Sequence, residues 1–368
     1  MISRVADHCF WFGRYLDRAE STARLLQVTR TLVFDADIPV TQCWKPLVIV
    51  AGTEPKFIDR YGLDSIGNGE LVRSYMTWEP ENPVSLHSSV RAARESARVL
   101  RDVLSLESWE EVNELYHWMG GNEAQVLYRQ NREQFYRHVR KSTQLVLGLV
   151  RSTMLHDTPL SLLWSGVMLE RAGQTARILD MHPHTMTLES AHQIVEVALW
   201  LSLLRACSGY EAFVKKVQGR ISAQAVASFL VFDRRFPRSL RYCLLSAKQI
   251  LMHVWPEADR PGPGHSPYAR LDALTIWLDK QESTANPNII HALLTRVVDD
   301  TSVICSDIAR EILGPPEPEK KVMDADGQSQ TQSLGGTQTQ TQVLDPDAAK
   351  LDARRTKTER TTGKAEVQ

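Results

Sequence analysis

With 368 residues, a mass of 41.6 kDa and 43% hydrophobic side chains, the chain is long enough for one large or two ordinary domains with a substantial core. Its 43 Lys and Arg balance 44 Asp and Glu, a formal net charge of -1 that excludes a generally basic nucleic-acid binder and leaves only local patches to consider. Five scattered cysteines without a CxxC pair exclude a disulfide scaffold or a zinc knuckle and predict a reducing, cytoplasmic setting.

The opening Met1-Ile2-Ser3-Arg4-Val5-Ala6-Asp7-His8 is broken by charges, so it predicts neither a signal peptide nor a membrane anchor. The apolar stretches Thr143 to Val150 and Val197 to Leu204 fall far short of the roughly 20 residues of a membrane span. Apolar residues recurring at three and four predict helices near 3–35, 41–51, 69–79, 83–105, 108–119 and 122–155. A second series is predicted near 159–181, 189–218, 222–231, 237–255, 267–282 and 287–313. Asn82-Pro83 and Thr158-Pro159 each set a capping side chain before a proline, and Ser108-Trp-Glu-Glu111 has capping-box spacing. From Pro315 the chain runs into Pro-Pro-Glu-Pro-Glu-Lys-Lys and then a Thr-Gln-rich tract, with too few large apolar groups to offset the entropy of folding. A helical domain over 1–314 followed by a disordered tail over 315–368 is therefore expected.

The strongest feature is an internal repeat. Trp11-Phe-Gly13-Arg-Tyr-Leu16-Asp17-Arg18-Ala19-Glu-Ser-Thr22-Ala23-Arg24-Leu-Leu26 returns without a gap as Trp164-Ser-Gly166-Val-Met-Leu169-Glu170-Arg171-Ala172-Gly-Gln-Thr175-Ala176-Arg177-Ile-Leu179. At nearly the same offset Pro83-x-Ser85 returns as Pro237-x-Ser239, and Trp44-x-x-Leu47 echoes Trp200-x-x-Leu203. The copies cover about 1–153 and 154–313, a period far beyond the 20 to 50 residues of a solenoid. The expected fold class is all-α, with two tandem related helical halves packed about a pseudo-twofold axis.

On a helical wheel Leu16, Ala19, Ala23 and Leu26 share one face, as do Leu169, Ala172, Ala176 and Leu179, and the alanines allow close helix approach. Asp17 and Arg24 lie with Gly13 on one border of that stripe, and Glu170 and Arg177 with Gly166. On the other border Arg18 and Arg171 are expected to stack on Trp11 and Trp164 or to reach Thr22 and Thr175. Asp17 and Arg24 are two turns apart, about 10.5 Å, so pairing across the axis is expected instead, Asp17 to an arginine of copy two and Glu170 to an arginine of copy one. Asp17, Arg18, Arg24, Glu170, Arg171 and Arg177 are thus the candidate site residues, with two readings open. They are structural ion pairs at a helix seam, or they line a pocket in which carboxylate and guanidinium face a polar ligand.

Arg91, Arg94, Arg98 and Arg101 share a helical face that is either paired within the chain or free to grip an acidic ligand. Two Glu-x-x-His units, Glu114 with His117 and Glu189 with His192, have the spacing of di-iron bundles but not the repeat offset such a site requires, so no metal is assigned. His182-Pro-His184 reads as a helix end, and Cys9 and Cys207 as small core residues. Without a P-loop, a dinucleotide fingerprint or a Gly-x-Ser-x-Gly elbow, no cofactor is expected.

Ser3-Arg4-Val5-Ala6 followed by Trp11-x-Gly13-Arg14-Tyr15-Leu16-Asp17-Arg18-Ala19-Glu20, with Asn82-Pro83-x-Ser85, Arg91-x-x-Arg94-Glu95 and Phe236-Pro237-x-Ser239, resembles the bacterial alpha-E domain family over about residues 1–313. The resemblance implies an all-helical domain named for a Glu-Arg motif, which Glu170-Arg171 matches and Asp17-Arg18 carries with a carboxylate one methylene shorter. It also implies partners, a circularly permuted ATP-grasp amidoligase-like protein and a transglutaminase-like protease, with a peptide or amide as substrate. The expected function is a helical partner or substrate-binding component of amide-bond formation or modification, non-catalytic by itself. The alternatives are an enzyme whose Glu-Arg sites perform transfer or hydrolysis, and a purely structural assembly protein.

Overall fold

The computed structural model describes residues 3–35, 40–185, 193–217, 221–256, 265–281, 287–311, 322–323 and 329–330. The chain divides into the units Met1–Pro315 and Pro316–Gln368. Within the first, the described residues are helical: α1 (Ser3–Asp35), α2 (Val40–Val50), α3 (Glu54–Tyr61), α4 (Gly69–Trp78), α5 (Leu86–Val99), α6 (Leu106–Gly120), α7 (Asn122–Gln130) and α8 (Arg132–Thr153). There follow α9 (Thr158–Thr185), α10 (Gln193–Ala206), α11 (Tyr210–Lys216), α12 (Ala223–Phe232), α13 (Leu240–Val254), α14 (His265–Lys280) and α15 (Pro287–Glu311). In the second unit Val322–Met323 pairs antiparallel with Ser329–Gln330, where composition predicts no strand. The remainder of the expected disordered tail lies outside the described residues.

The long helices α1 and α9 pack on one another and are flanked by α5 and α8 on α1 and by α13 and α15 on α9. Their contact is built from the repeated stripe, in which Leu16, Ala19, Ala23, Leu26, Leu169, Ala172, Ala176 and Leu179 are all buried. Two glycines set the closeness of the crossing. A Cβ on Gly13 would stand 2.1 Å from Leu163 O, and one on Gly166 would stand 2.1 Å from Phe10 O, so backbone meets backbone at both points. Trp44, Leu47, Trp200 and Leu203 are all buried in the same core.

The helix ends depart from expectation where a single capping residue interrupts continuous apolar periodicity. The stretch expected over 122–155 breaks at Asn131, whose side chain accepts from Gln134 N and starts α8. The stretch expected over 189–218 breaks at Ser208, a non-glycine residue at φ 53, and the two pieces bend by 113°. Helix α5 starts later than expected because Ser85, not Asn82, is the cap; likewise Ser105, not Ser108, caps α6. Ser85 and Ser239 play matching parts: each accepts the amide three residues on (Ser88, Tyr242) and donates its hydroxyl to the carbonyl six residues back (Glu79, Asp233). Helix α9 runs on through His182-Pro-His184 to Thr185, where a break is expected. Among the described residues no single helix is long and apolar enough to cross a membrane.

Candidate functional site

The crossing of α1 and α9 brings the repeated charges together in two buried knots. In the first, Glu170 of α9 is 3% exposed and accepts from Arg18 Nε at 2.7 Å and Arg18 Nη2 at 2.8 Å, a bidentate grip from α1. Arg14 Nε adds a bond of 2.9 Å and Gln174 Nε2 one of 3.0 Å, so both carboxylate oxygens are doubly engaged. Burial alone would push this carboxyl up, but Arg18 and Arg14 more than offset that and hold it far below the usual range.

In the second knot Asp17 Oδ1 accepts from Arg171 Nε at 3.0 Å and Nη2 at 2.7 Å. Beside it, fully buried Glu20 is bonded by Arg24, by Arg238 Nη2 at 2.7 Å and by Gln144 Nε2 at 3.1 Å. Burial raises the Glu20 carboxyl, yet Arg238 and Arg24 pull it down to about 2. The expected crosswise pairing of Asp17 and Glu170 is therefore present, and five of the six candidates are ion-paired here. The sixth, Arg177, forms no ion pair among the described residues.

The expected stacking of Arg18 and Arg171 on tryptophan does not occur. Arg14 lies over Trp11 at 4.7 Å and Arg151 over Trp164 at 4.9 Å, because Arg18 and Arg171 are drawn to carboxylates across the crossing. Nor does Thr175 bond Arg171; its hydroxyl donates to Arg238 O at 2.9 Å. Three of the four arginines of that face are engaged within the chain: Arg94 and Arg98 of α5 pair with Glu95, and Arg101, just beyond its end, lies over Trp109 at 4.2 Å, while Arg91 is exposed. Cys9 and Cys207 are buried, and burial pushes both thiols up to about 12. Glu114 and His117 sit on α6, whereas the side chains of His182, His184, Glu189 and His192 lie outside the described residues.

A cavity of about 370 Å³ opens beside the second knot, with Gln144, Arg151, Trp164, Arg171, Ser208 and Arg238 among its lining residues. Three guanidiniums face it and none of its lining residues is acidic. Arg171 and Arg238 are tied at one end to Asp17 and Glu20, while Arg151 is exposed and held by its stack on Trp164. The arrangement suits a carboxylate-bearing ligand laid against an aromatic wall. Sequence reasoning misses Arg14, Glu20, Gln144, Arg151 and Arg238: the first two stand where the other copy has Val167 and Gly173, and the rest come from α8 and the segment before α13.

An all-helical unit whose two longest helices cross through a Glu-Arg pair is thus the class of protein defined here. The chain belongs to the Alpha-E family, described as a predicted alpha-helical domain with a conserved ER motif, which it matches over residues 1–313. It is 28% identical over 263 residues to uncharacterised proteins of Mycobacterium bovis and Mycobacterium tuberculosis, a match that covers 66% of this chain. The match covers 28% of the length of each relative, so the matched part of the chain spans less than a third of the curated proteins it resembles. No solved structure matches it.

Proposed function

We propose that the protein is a helical substrate-binding component that presents a carboxylate-bearing peptide or amide to an ATP-grasp amidoligase-type partner. The observation that carries this reading is the cavity lined by Arg151, Arg171 and Arg238 against Trp164. Its guanidinium forks match a carboxylate, the group that an amide-forming ligation must activate. The relatives support the same reading, because there the matched region is a minor part of a much longer polypeptide, as a module working beside other domains would be. The charge state of the knots favours a binding role over general acid–base catalysis by these carboxylates. Glu20 and Glu170 are held ionised by arginines far below neutrality, and a general acid or base operating near pH 7 needs a group that titrates there. In this reading the two halves, 1–153 and 154–313, are related by a pseudo-twofold axis through the crossing. The reciprocal contacts of Gly13 and Gly166, and of Asp17 and Glu170 with Arg171 and Arg18, support that axis.

Arg151→Gln tests the reading, because Arg151 is exposed and its loss orphans no buried carboxylate. A short glutamyl peptide titrated by calorimetry should bind the wild-type chain saturably and the variant about tenfold more weakly, roughly 1.4 kcal/mol, with the melting temperature unchanged. If an ATP-grasp amidoligase is the partner, ATP-dependent product formation in its presence should fall in parallel. Equal peptide affinity in both proteins would remove the cavity from the account.

A further inference from the structure

The two knots differ at several positions of the repeat, and one of these differences decides where an arginine points. In α1 the guanidinium of Arg24 is bonded to Glu20, four residues earlier. In α9 the matching arginine is Arg177, and the place of Glu20 is taken by Gly173. A Cβ on Gly173 would stand 2.9 Å from Arg177 Nη1, so the arginine folds back over the glycine, one turn toward Glu170. There it joins Arg14 and Arg18, whose own hydrogen bonds go to Glu170. Three guanidiniums thus face one carboxylate, which leaves two positive charges uncompensated. In the other knot Arg24, Arg171 and Arg238 meet two carboxylates, and the neighbouring Arg140 turns to Gln27 Oε1. Arginine does not relieve such an excess by losing its proton, since it stays charged above pH 12. Burial lowers the proton affinity of Arg177, and the neighbouring charges of Arg18 and Arg14 lower it further against the pull of Glu170. The group is nonetheless reachable from solvent: the Arg14 and Arg18 side chains are 15% and 12% exposed, and Arg177 is partly exposed.

We propose that Arg14, Arg18 and Arg177 form a binding site for a phosphoryl dianion, distinct from the cavity at Arg151. The two negative charges of the dianion match the excess, and its oxygens suit the guanidinium forks left over after Glu170 is satisfied. Inorganic phosphate and the phosphoryl group of a small phosphomonoester present the same chemistry to this site.

The full chain is melted at pH 7.5 across a phosphate series and, in parallel, in chloride of equal ionic strength. Phosphate should raise the melting temperature saturably by several degrees over chloride, as a ligand that binds only the folded state does. A matched series with glucose 6-phosphate separates the sources: an equal rise assigns the site to phosphomonoesters, and a rise with phosphate alone assigns it to the free ion. Arg177→Gln should abolish the response. Gly173→Glu supplies the carboxylate that α1 carries at the matching position, and among the described residues the atoms its Cβ would meet belong to the mobile end of Arg177. It should raise the melting temperature in chloride and cancel the effect of phosphate. Arg151→Gln should keep the full response, which separates this site from the carboxylate cavity. No rise beyond chloride in the wild type, a full response in Gly173→Glu, or loss of the response in Arg151→Gln would each overturn the assignment.

Discussion

Glu170→Gln should destabilise the chain by about 3–5 kcal/mol, the usual consequence of removing one partner from a buried ion pair. The amide keeps the shape of the side chain but loses its charge, and it turns one acceptor into a donor. The carboxylate now accepts from Arg14, from Nε and Nη2 of Arg18 and from Gln174, so the amide would point hydrogens at hydrogens. Arg14 and Arg18 would then be left beside Arg177 with no counter-charge. Asp17→Asn should cost less, about 1–3 kcal/mol, because one guanidinium, that of Arg171, depends on it for hydrogen bonds. Denaturant melts at pH 7 check both values. The gap between wild type and Glu170→Gln also carries a pH signature. Because the folded carboxyl titrates well below its ordinary value of 4.5, its contribution is complete above that value and is lost as pH falls toward the folded one. The gap between the two should therefore narrow steadily as pH falls below about 4.5. A constant gap over that range would mean that the loss comes from packing and not from charge.

Much of this knot is legible in the sequence, because a helix fixes which residues share a face. The gapless match of 11–26 with 164–179 identifies α1 and α9 as partners in design, and the two-turn separation of Asp17 from Arg24 forces the carboxylates to seek arginines elsewhere. What it does not reveal is which arginine each group chooses. Trp11 is stacked by Arg14, three residues along the same face, and Trp164 by Arg151 from α8, while the repeated arginines leave their own tryptophans for a carboxylate on the other helix. A charge-assisted bond in a buried setting outweighs a cation–aromatic contact at a partly exposed ring. Arg238 and Gln144 reach Glu20 from more than a hundred residues away, and no periodicity reports a contact of that kind. Helix α3 also escapes the pattern, being eight residues long with Pro55 in its first turn and Phe57 as its buried residue. Periodicity likewise runs across the breaks at Asn131 and Ser208, since each is made by one residue's backbone or cap and leaves the apolar spacing almost intact.

Gly13→Ala and Gly166→Ala should each destabilise by about 2–4 kcal/mol, at or beyond the upper end of ordinary overpacking. The added methyl carbon would meet Leu163 O or Phe10 O at 2.1 Å, far inside van der Waals contact. Both oxygens belong to helix backbone, so no side chain can swing away and the two helices must move apart. Moving them stretches the bonds between Glu170 and Arg18 and between Asp17 and Arg171, which span the same crossing. Gly148→Ala provides the contrast within the same protein. That residue is also helical, but a Cβ there meets nothing within 4 Å, and the same substitution should stabilise by about 0.5–1 kcal/mol through the backbone entropy that glycine loses on folding. The double variant of Gly13 and Gly166 is the most telling. The two clashes lie on opposite sides of one crossing, each three residues from the other's glycine, so a single separation of α1 from α9 relieves both. The combined loss should therefore fall short of the sum of the single losses by about 1 kcal/mol or more, the size of coupling expected for groups that share one backbone shift. Strict additivity would show instead that each clash is absorbed locally, by bending its own helix, and that the crossing does not move as a unit.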